Sequence, residues 1–135
     1  MPNSVVINNS SEELYLWSFG DNVSDQITVA PGASWSEGLH RGATNPGSSI
    51  KISKVPNSLW TSAPTLIVGY TLDPDKLWFS LDAVNGAPFA GHKLTLSSEG
   101  STSNMVWSDG QKPAGTAVGV GNVNSDLVLT IHPGA

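Results

Sequence analysis

Residues 78–96 read WFSLDAVNGAPFAGHKLTL, and this stretch decides the fold. Leu77, Phe79 and Leu81 alternate with Trp78, Ser80 and Asp82, the period-two pattern of a pleated strand. His92, Leu94 and Leu96 alternate with Lys93, Thr95 and Ser97 in the same way. Between the two runs, Asn85-Gly86, Pro88 and Gly91 punctuate the backbone, with Phe89 among them. A tight hairpin needs only two such residues. The longer connection is therefore read as a structured loop with its own packing. Phe89 reads either as a plug at the end of a sandwich or as a ligand contact, and the plug is the simpler reading. Asp82 and His92 border the loop. Each reads equally well as a hydrogen-bonded structural residue or as a functional group on a scaffolded loop.

Outward from this stretch no segment keeps a helical period. Short apolar runs recur with turn residues between them, the signature of an all-β chain. Strands are expected at 4–7, 14–18, 26–29, 34–38, 50–54, 65–72, 77–82, 92–96, 105–107 and 126–131, about ten in all. The run TLIVGYTL at 65–72 is apolar enough for a central strand covered on both faces. Two packed antiparallel sheets suit the pattern best. Val6, Leu16, Ile52, Ile67, Phe79, Leu94, Val106 and Leu129 hold apolar positions within strand-like runs and are the expected core.

At 135 residues, without repeat or linker, the chain is read as one domain over 1–135. Charged residues make up only 13%, so Ser, Thr, Asn and Gly must cover the surface. The formal charge of -5, with basic residues scattered along the chain, argues against nucleic acid and against anionic membrane surfaces as partners. No apolar run is long enough to span a bilayer. Met1-Pro2 leads straight into a strand, without a basic n-region or apolar h-region. That favours the cytoplasm, and a removed leader would instead imply secretion. Cysteine is absent, which removes disulfides, thiolate metal sites and a Cys nucleophile. Asn8, Asn9 and Asn22 sit in glycosylation sequons, which matter only in the secretory route.

Chemistry-bearing patterns are few. His40, His92 and His132 lack the local spacing of a metal site, and no metal or cofactor is expected. Gly119-Val120-Gly121 is half of a dinucleotide fingerprint without its third glycine or βαβ setting. No nucleophile elbow or phosphate loop occurs. Glu37, Asp73, Asp75 and Asp82 stand at strand ends. Such carboxylates can divide acid and base roles, although turn formation explains Asp73 and Asp75 more simply. Glu37 beside His40 and Arg41 suggests a local ion pair, worth little at a surface. Tryptophans at 17, 35, 60, 78 and 107 are numerous for this length. Core packing explains most of them, while Trp35, Trp60 and Trp78 have the polar surroundings of rings that stack on sugars or flat ligands.

LYLWS (14–18), APGASWSEG (30–38), SIKIS (49–53), VGYTLD (68–73), LWFSLDAVNGAPFAGHKLTL (77–96) and VWSDGQKPAG (106–115) occur in this order across nearly the whole chain. Together they resemble the fungal BYS1-domain proteins, described as antigenic thaumatin-like proteins. The most specific positions are Asp82, Gly86, Pro88, Phe89, Gly91 and His92. The resemblance implies a thaumatin-like β-sandwich, a fungal source and, for typical members, secretion with carbohydrate or cell-wall association. It brings no catalytic residues. Typical members carry cysteines, where this chain has Ser10, and a leader. They also carry an acid where this chain has Ala87.

Two functions follow as expectations. The first is a non-enzymatic module that binds a carbohydrate or flat small molecule through Trp35, Trp60, Trp78, Tyr70, Lys51 and Phe89, with help from strand-end carboxylates. The alternative is an intracellular, cofactor-independent cyclase, isomerase or lyase acting on a fungal secondary metabolite. There His92, Asp82 and Glu37 would move protons, and Lys51 and Tyr70 would polarise a carbonyl. The sequence leaves the oligomeric state open.

Overall fold

The computed structural model describes residues 2–43, 47–57, 61–113 and 118–134. Trp60 lies outside the described residues. The strands are β1 (Asn3–Asn8), β2 (Leu14–Phe19), β3 (Ile27–Val29), β4 (Ser34–Gly38), β5 (Gly47–Ser53), β6 (Thr65–Leu72), β7 (Leu77–Val84), β8 (His92–Ser98), β9 (Met105–Trp107), β10 (Gly119–Gly121) and β11 (Leu127–Gly134). No helix occurs among the described residues. The strands form a five-stranded sheet, ordered β4-β1-β11-β8-β9, and a six-stranded sheet, ordered β10-β7-β6-β5-β2-β3. β10 falls in a glycine-rich return that lacks the apolar run of an ordinary strand. β1 pairs with β11 in parallel, and every other pair is antiparallel. The parallel pair joins the two ends of the chain.

Alternation builds the core. Leu14 and Leu16, Ile50 and Ile52, Leu66 and Val68, Leu77 and Phe79 face inward from the larger sheet. Val6, Leu94, Leu96, Leu127, Leu129 and Ile131 meet them from the smaller one. Each such side chain taken from water contributes about 1.5–3 kcal/mol before the entropy of ordering it is charged.

Two expected core positions are corrected. Val106 is 51% exposed, because Trp107, one residue on, takes the inward direction of short β9. Ile67 is only half-buried: Leu66, Val68 and Tyr70 supply the inner face of β6. That strand is central in its sheet, but one face lies on the core and the other is partly open.

The organising loop follows Asn85 and Gly86, both at positive φ (61° and 125°), the turn geometry that Asn-Gly favours. Gly91 N–H donates to the Asp109 carbonyl at 2.7 Å and His92 N–H to the Phe89 carbonyl at 2.9 Å. Phe89 is 1% exposed and belongs to the core, so it closes the sandwich end and is unavailable as a ligand contact. Asn8 is a second fastening point. Its buried Nδ2 donates to the carbonyls of Glu12, Val29 and Ala30, and its Oδ1 accepts from Ser10 N–H and Ser10 Oγ. One side chain thus ties the end of β1 to β3 of the opposite sheet.

Candidate functional site

The outer face of the six-stranded sheet is an ordered array of side chains. Register sets Trp17, Lys51, Ile67 and Asp82 in one row across β2, β5, β6 and β7. The next row is Phe19, Ser49, Gly69 and Ser80. A third holds Gly47, Thr71, Trp78 and Val120. The middle row is low, because it offers two serines and a glycine. A Cβ on Gly69 would stand 3.2 Å from Ser80 Oγ. A depression of about 250 Å³ lies here, with Gly69, Thr71, Trp78, Ser80 and Val118 among its walls.

Trp78 is the raised wall and is 36% exposed. Its indole N–H donates to Asp73 Oδ2 at 2.9 Å, while Asp73 Oδ1 accepts from Arg41 at 2.8 Å. The Lys76 ammonium stands 5.6 Å from the ring centre. These contacts hold the ring's orientation. On the other side, Trp17 points away from the core yet is only 4% exposed. Lys51 sits opposite it, and Lys51 Nζ lies 4.4 Å from the centre of the Phe19 ring. Nearby, Asn57 N–H donates to Gln26 Oε1 at 2.8 Å, beyond β2 from β5. Asp82 is fixed by Lys112 Nζ at 2.9 Å and by the Ala83 N–H at 2.8 Å. The Lys112 hydrogen bond chiefly, and the Ala83 one next, hold its carboxyl below the usual carboxylate range.

A second polar group lies at one end of the sandwich. Glu37 Oε1 accepts from Ser18 Oγ at 2.6 Å and lies 3.0 Å from His40 Nε2. A carboxylate only accepts, so Nε2 carries the proton, while Ser48 Oγ lies 3.2 Å from Nδ1 and donates to the His40 carbonyl at 3.2 Å. Tyr70 is 3% exposed, and its hydroxyl accepts the His40 N–H at 3.4 Å. Burial pushes its phenol above 10.0, against the lowering effect of that hydrogen bond. The adjoining depression, about 460 Å³, is lined by Glu37, His40 and Arg41, each already paired, and by no Trp, Tyr or Phe.

The residues singled out in the sequence therefore separate. Lys51, Trp78 and Asp82 share the outer sheet face. Glu37 and Tyr70 meet at the end, where the expected Glu37–His40 pair is present and Arg41 turns instead to Asp73. Trp35 is partly buried and packs against the core from β4, because the alternation SWSEG turns it inward. Tyr70 is likewise an inner-face residue of β6. Asp82 and His92 lie on different sheets and are not brought together. His92 Nδ1 donates to the His132 carbonyl at 2.9 Å, the structural role weighed for it. Trp17 and Phe19 were missed as neighbours of Lys51. The period-two reading of LYLWSF carried that signal, since Tyr15, Trp17 and Phe19 share one direction. Among the described residues no three His, Asp or Glu side chains stand together as metal ligands.

The architecture, two sheets of five and six strands, is that of a thaumatin-like β-sandwich. The chain belongs to the Bys1 family, described as Blastomyces yeast-phase-specific protein, whose model matches residues 1–133. It is 31% identical over 104 residues to the secreted thaumatin-like protein calA of Emericella nidulans. That match covers 75% of this chain and 58% of calA, so the chain spans little more than half the length of this relative. Its fold is similar to the crystal structure of the protein elicitor MoHrip2 from Magnaporthe oryzae, with a TM-score of 0.79 and 24% identity over 97% of this chain and 98% of that one. It is also similar to the thaumatin-like xylanase inhibitor TLXI, with a TM-score of 0.56 and 9% identity over 97% and 99% of the chains.

Proposed function

We propose that the protein is a binding module whose ligand lies on the outer face of the six-stranded sheet. The ligand presents one flat face, as a sugar ring or a planar small molecule does. The observation that carries this reading is Trp78, braced by Asp73 beside the side-chain-free surface of Gly69. An indole held this way can stack without losing further rotamer freedom on binding. Ser49, Ser80 and Thr71 supply hydroxyls that donate and accept. The acid–base enzyme weighed from the sequence lacks its central pair, since Asp82 is committed to Lys112 and His92 to the His132 carbonyl. The relative calA is named as a secreted protein, whereas this cysteine-free chain needs no oxidising compartment for its stability. A sheet-face binding site operates in either setting.

The test is tryptophan fluorescence titration of the wild type and Trp78→Ala against soluble glucans, chitin oligomers and bicyclic aromatics. Binding in the wild type that Trp78→Ala abolishes supports the reading. Equal binding by both proteins rejects this surface as the site.

A further inference from the structure

We propose that the outer-face trough selects planar aromatic carboxylates, with Lys51 receiving the carboxylate and Trp78 flanking the rings. This rests on the binding surface proposed above and names its ligand class.

The distribution of charge points there. The chain carries -5 overall and has six basic residues. Four of them, Arg41, Lys51, Lys76 and Lys112, border this one face. Arg41 and Lys112 are engaged by Asp73 and Asp82. Lys76 lies over Trp78. Lys51 forms no ion pair among the described residues, and its contact is the face of Phe19. Its register neighbours are Trp17 and Ile67, neither of which offers an acceptor side chain. The acid in its row, Asp82, is two strands away and already hydrogen-bonded to Lys112.

Desolvation decides between ligand types. A neutral ring laid over this face would strip water from the Lys51 ammonium and return no charge to it, which is costly. An anion replaces the lost water with a charge-assisted hydrogen bond. The spacing also fits. Lys51 is the diagonal neighbour of Gly69 across β5 and β6, a separation of about 7–8 Å. The lysine stem is long enough to carry its ammonium across that gap to a carboxylate borne by a ring lying over Gly69.

Naphthoate and its neutral isostere naphthamide are the probes, titrated by calorimetry into wild type and Lys51→Met. The methionine keeps an apolar side chain opposite Trp17 and removes the ammonium, with its charge and its donors. The wild type is expected to prefer naphthoate by about tenfold or more, the worth of one hydrogen bond to a charged group. Lys51→Met should lose that preference while keeping its naphthamide affinity, and added salt should narrow the gap in the wild type alone. Equal affinity for the two probes in the wild type overturns the selectivity and leaves the binding surface standing. So does a preference that survives in Lys51→Met. Failure of both probes to bind rejects this proposal, and the binding surface falls separately if glucans and chitin oligomers also fail.

Discussion

The Lys51 ammonium stands 4.4 Å from the centre of the Phe19 ring, held over an aromatic face rather than against a carboxylate. Such a contact is worth about 0.5–1 kcal/mol where water still reaches it. Lys51→Met should therefore lower unfolding free energy by no more than about 1 kcal/mol. Urea denaturation of both proteins checks this. A larger loss would show that Lys51 is a structural residue, and its binding phenotype would then need another explanation.

Asn8 should matter far more to stability than to binding. It is fully buried, and its amide satisfies three backbone carbonyls that link the two sheets. Asn8→Ala leaves those acceptors without their donor in a dry site. The expected cost is about 3 kcal/mol, seen as a lower urea midpoint with an unchanged slope. Asn8→Asp should be similarly damaging, because a carboxylate cannot donate to the three carbonyls.

The Tyr70 phenol should ionise above 10.0, because burial disfavours the phenolate and the nearby Glu37 charge adds to that. In Tyr15→Phe, ultraviolet phenolate absorbance reports Tyr70 alone among the two tyrosines. Its midpoint is expected above the ordinary value. The folded state resists ionisation that the unfolded chain accepts, so the stability linked to Tyr70 is intact below 10.0 and is lost as pH climbs past it. Glu37→Gln should bring the midpoint back toward 10.0, since it removes the neighbouring charge.

Asp82 should behave in the opposite sense. Its carboxyl lies below 3.8, held there by Lys112 and the Ala83 N–H. The associated stability is present at neutral pH and is lost as pH falls through the folded value. The pair is half-exposed, so its worth is only about 0.2–1 kcal/mol. Carboxyl-carbon NMR titration of Lys112→Met should show the Asp82 midpoint rising toward 3.8.

Sheet architecture was legible because it depends on local pattern. The alternation of Leu77, Phe79 and Leu81 against Trp78, Ser80 and Asp82 survives intact as the two faces of β7. Phe89 was readable as a plug because turn residues surround it. Ile67 and Val106 failed for one reason: in an apolar run, composition does not say which of two neighbours turns inward. Trp35 shows the same ambiguity, since one position of phase separates an exposed ring from one partly packed on the core. The site was less legible than the fold. Lys51 and Trp78 are 27 positions apart in the numbering, and only the register through β6 sets them around Gly69. The parallel β1–β11 pair has no local signal at all, being a contact between the two ends of the chain.

The most direct measurement is amide chemical-shift mapping of nitrogen-15-labelled protein during titration with naphthoate. Perturbations should gather at Lys51, Gly69, Thr71, Trp78 and Ser80, with smaller changes at Phe19, and none around Val106 on the opposite sheet. Perturbations gathered instead at Ser18, Glu37 and His40, or spread over the five-stranded sheet, would contradict the assignment of the six-stranded face as the binding surface.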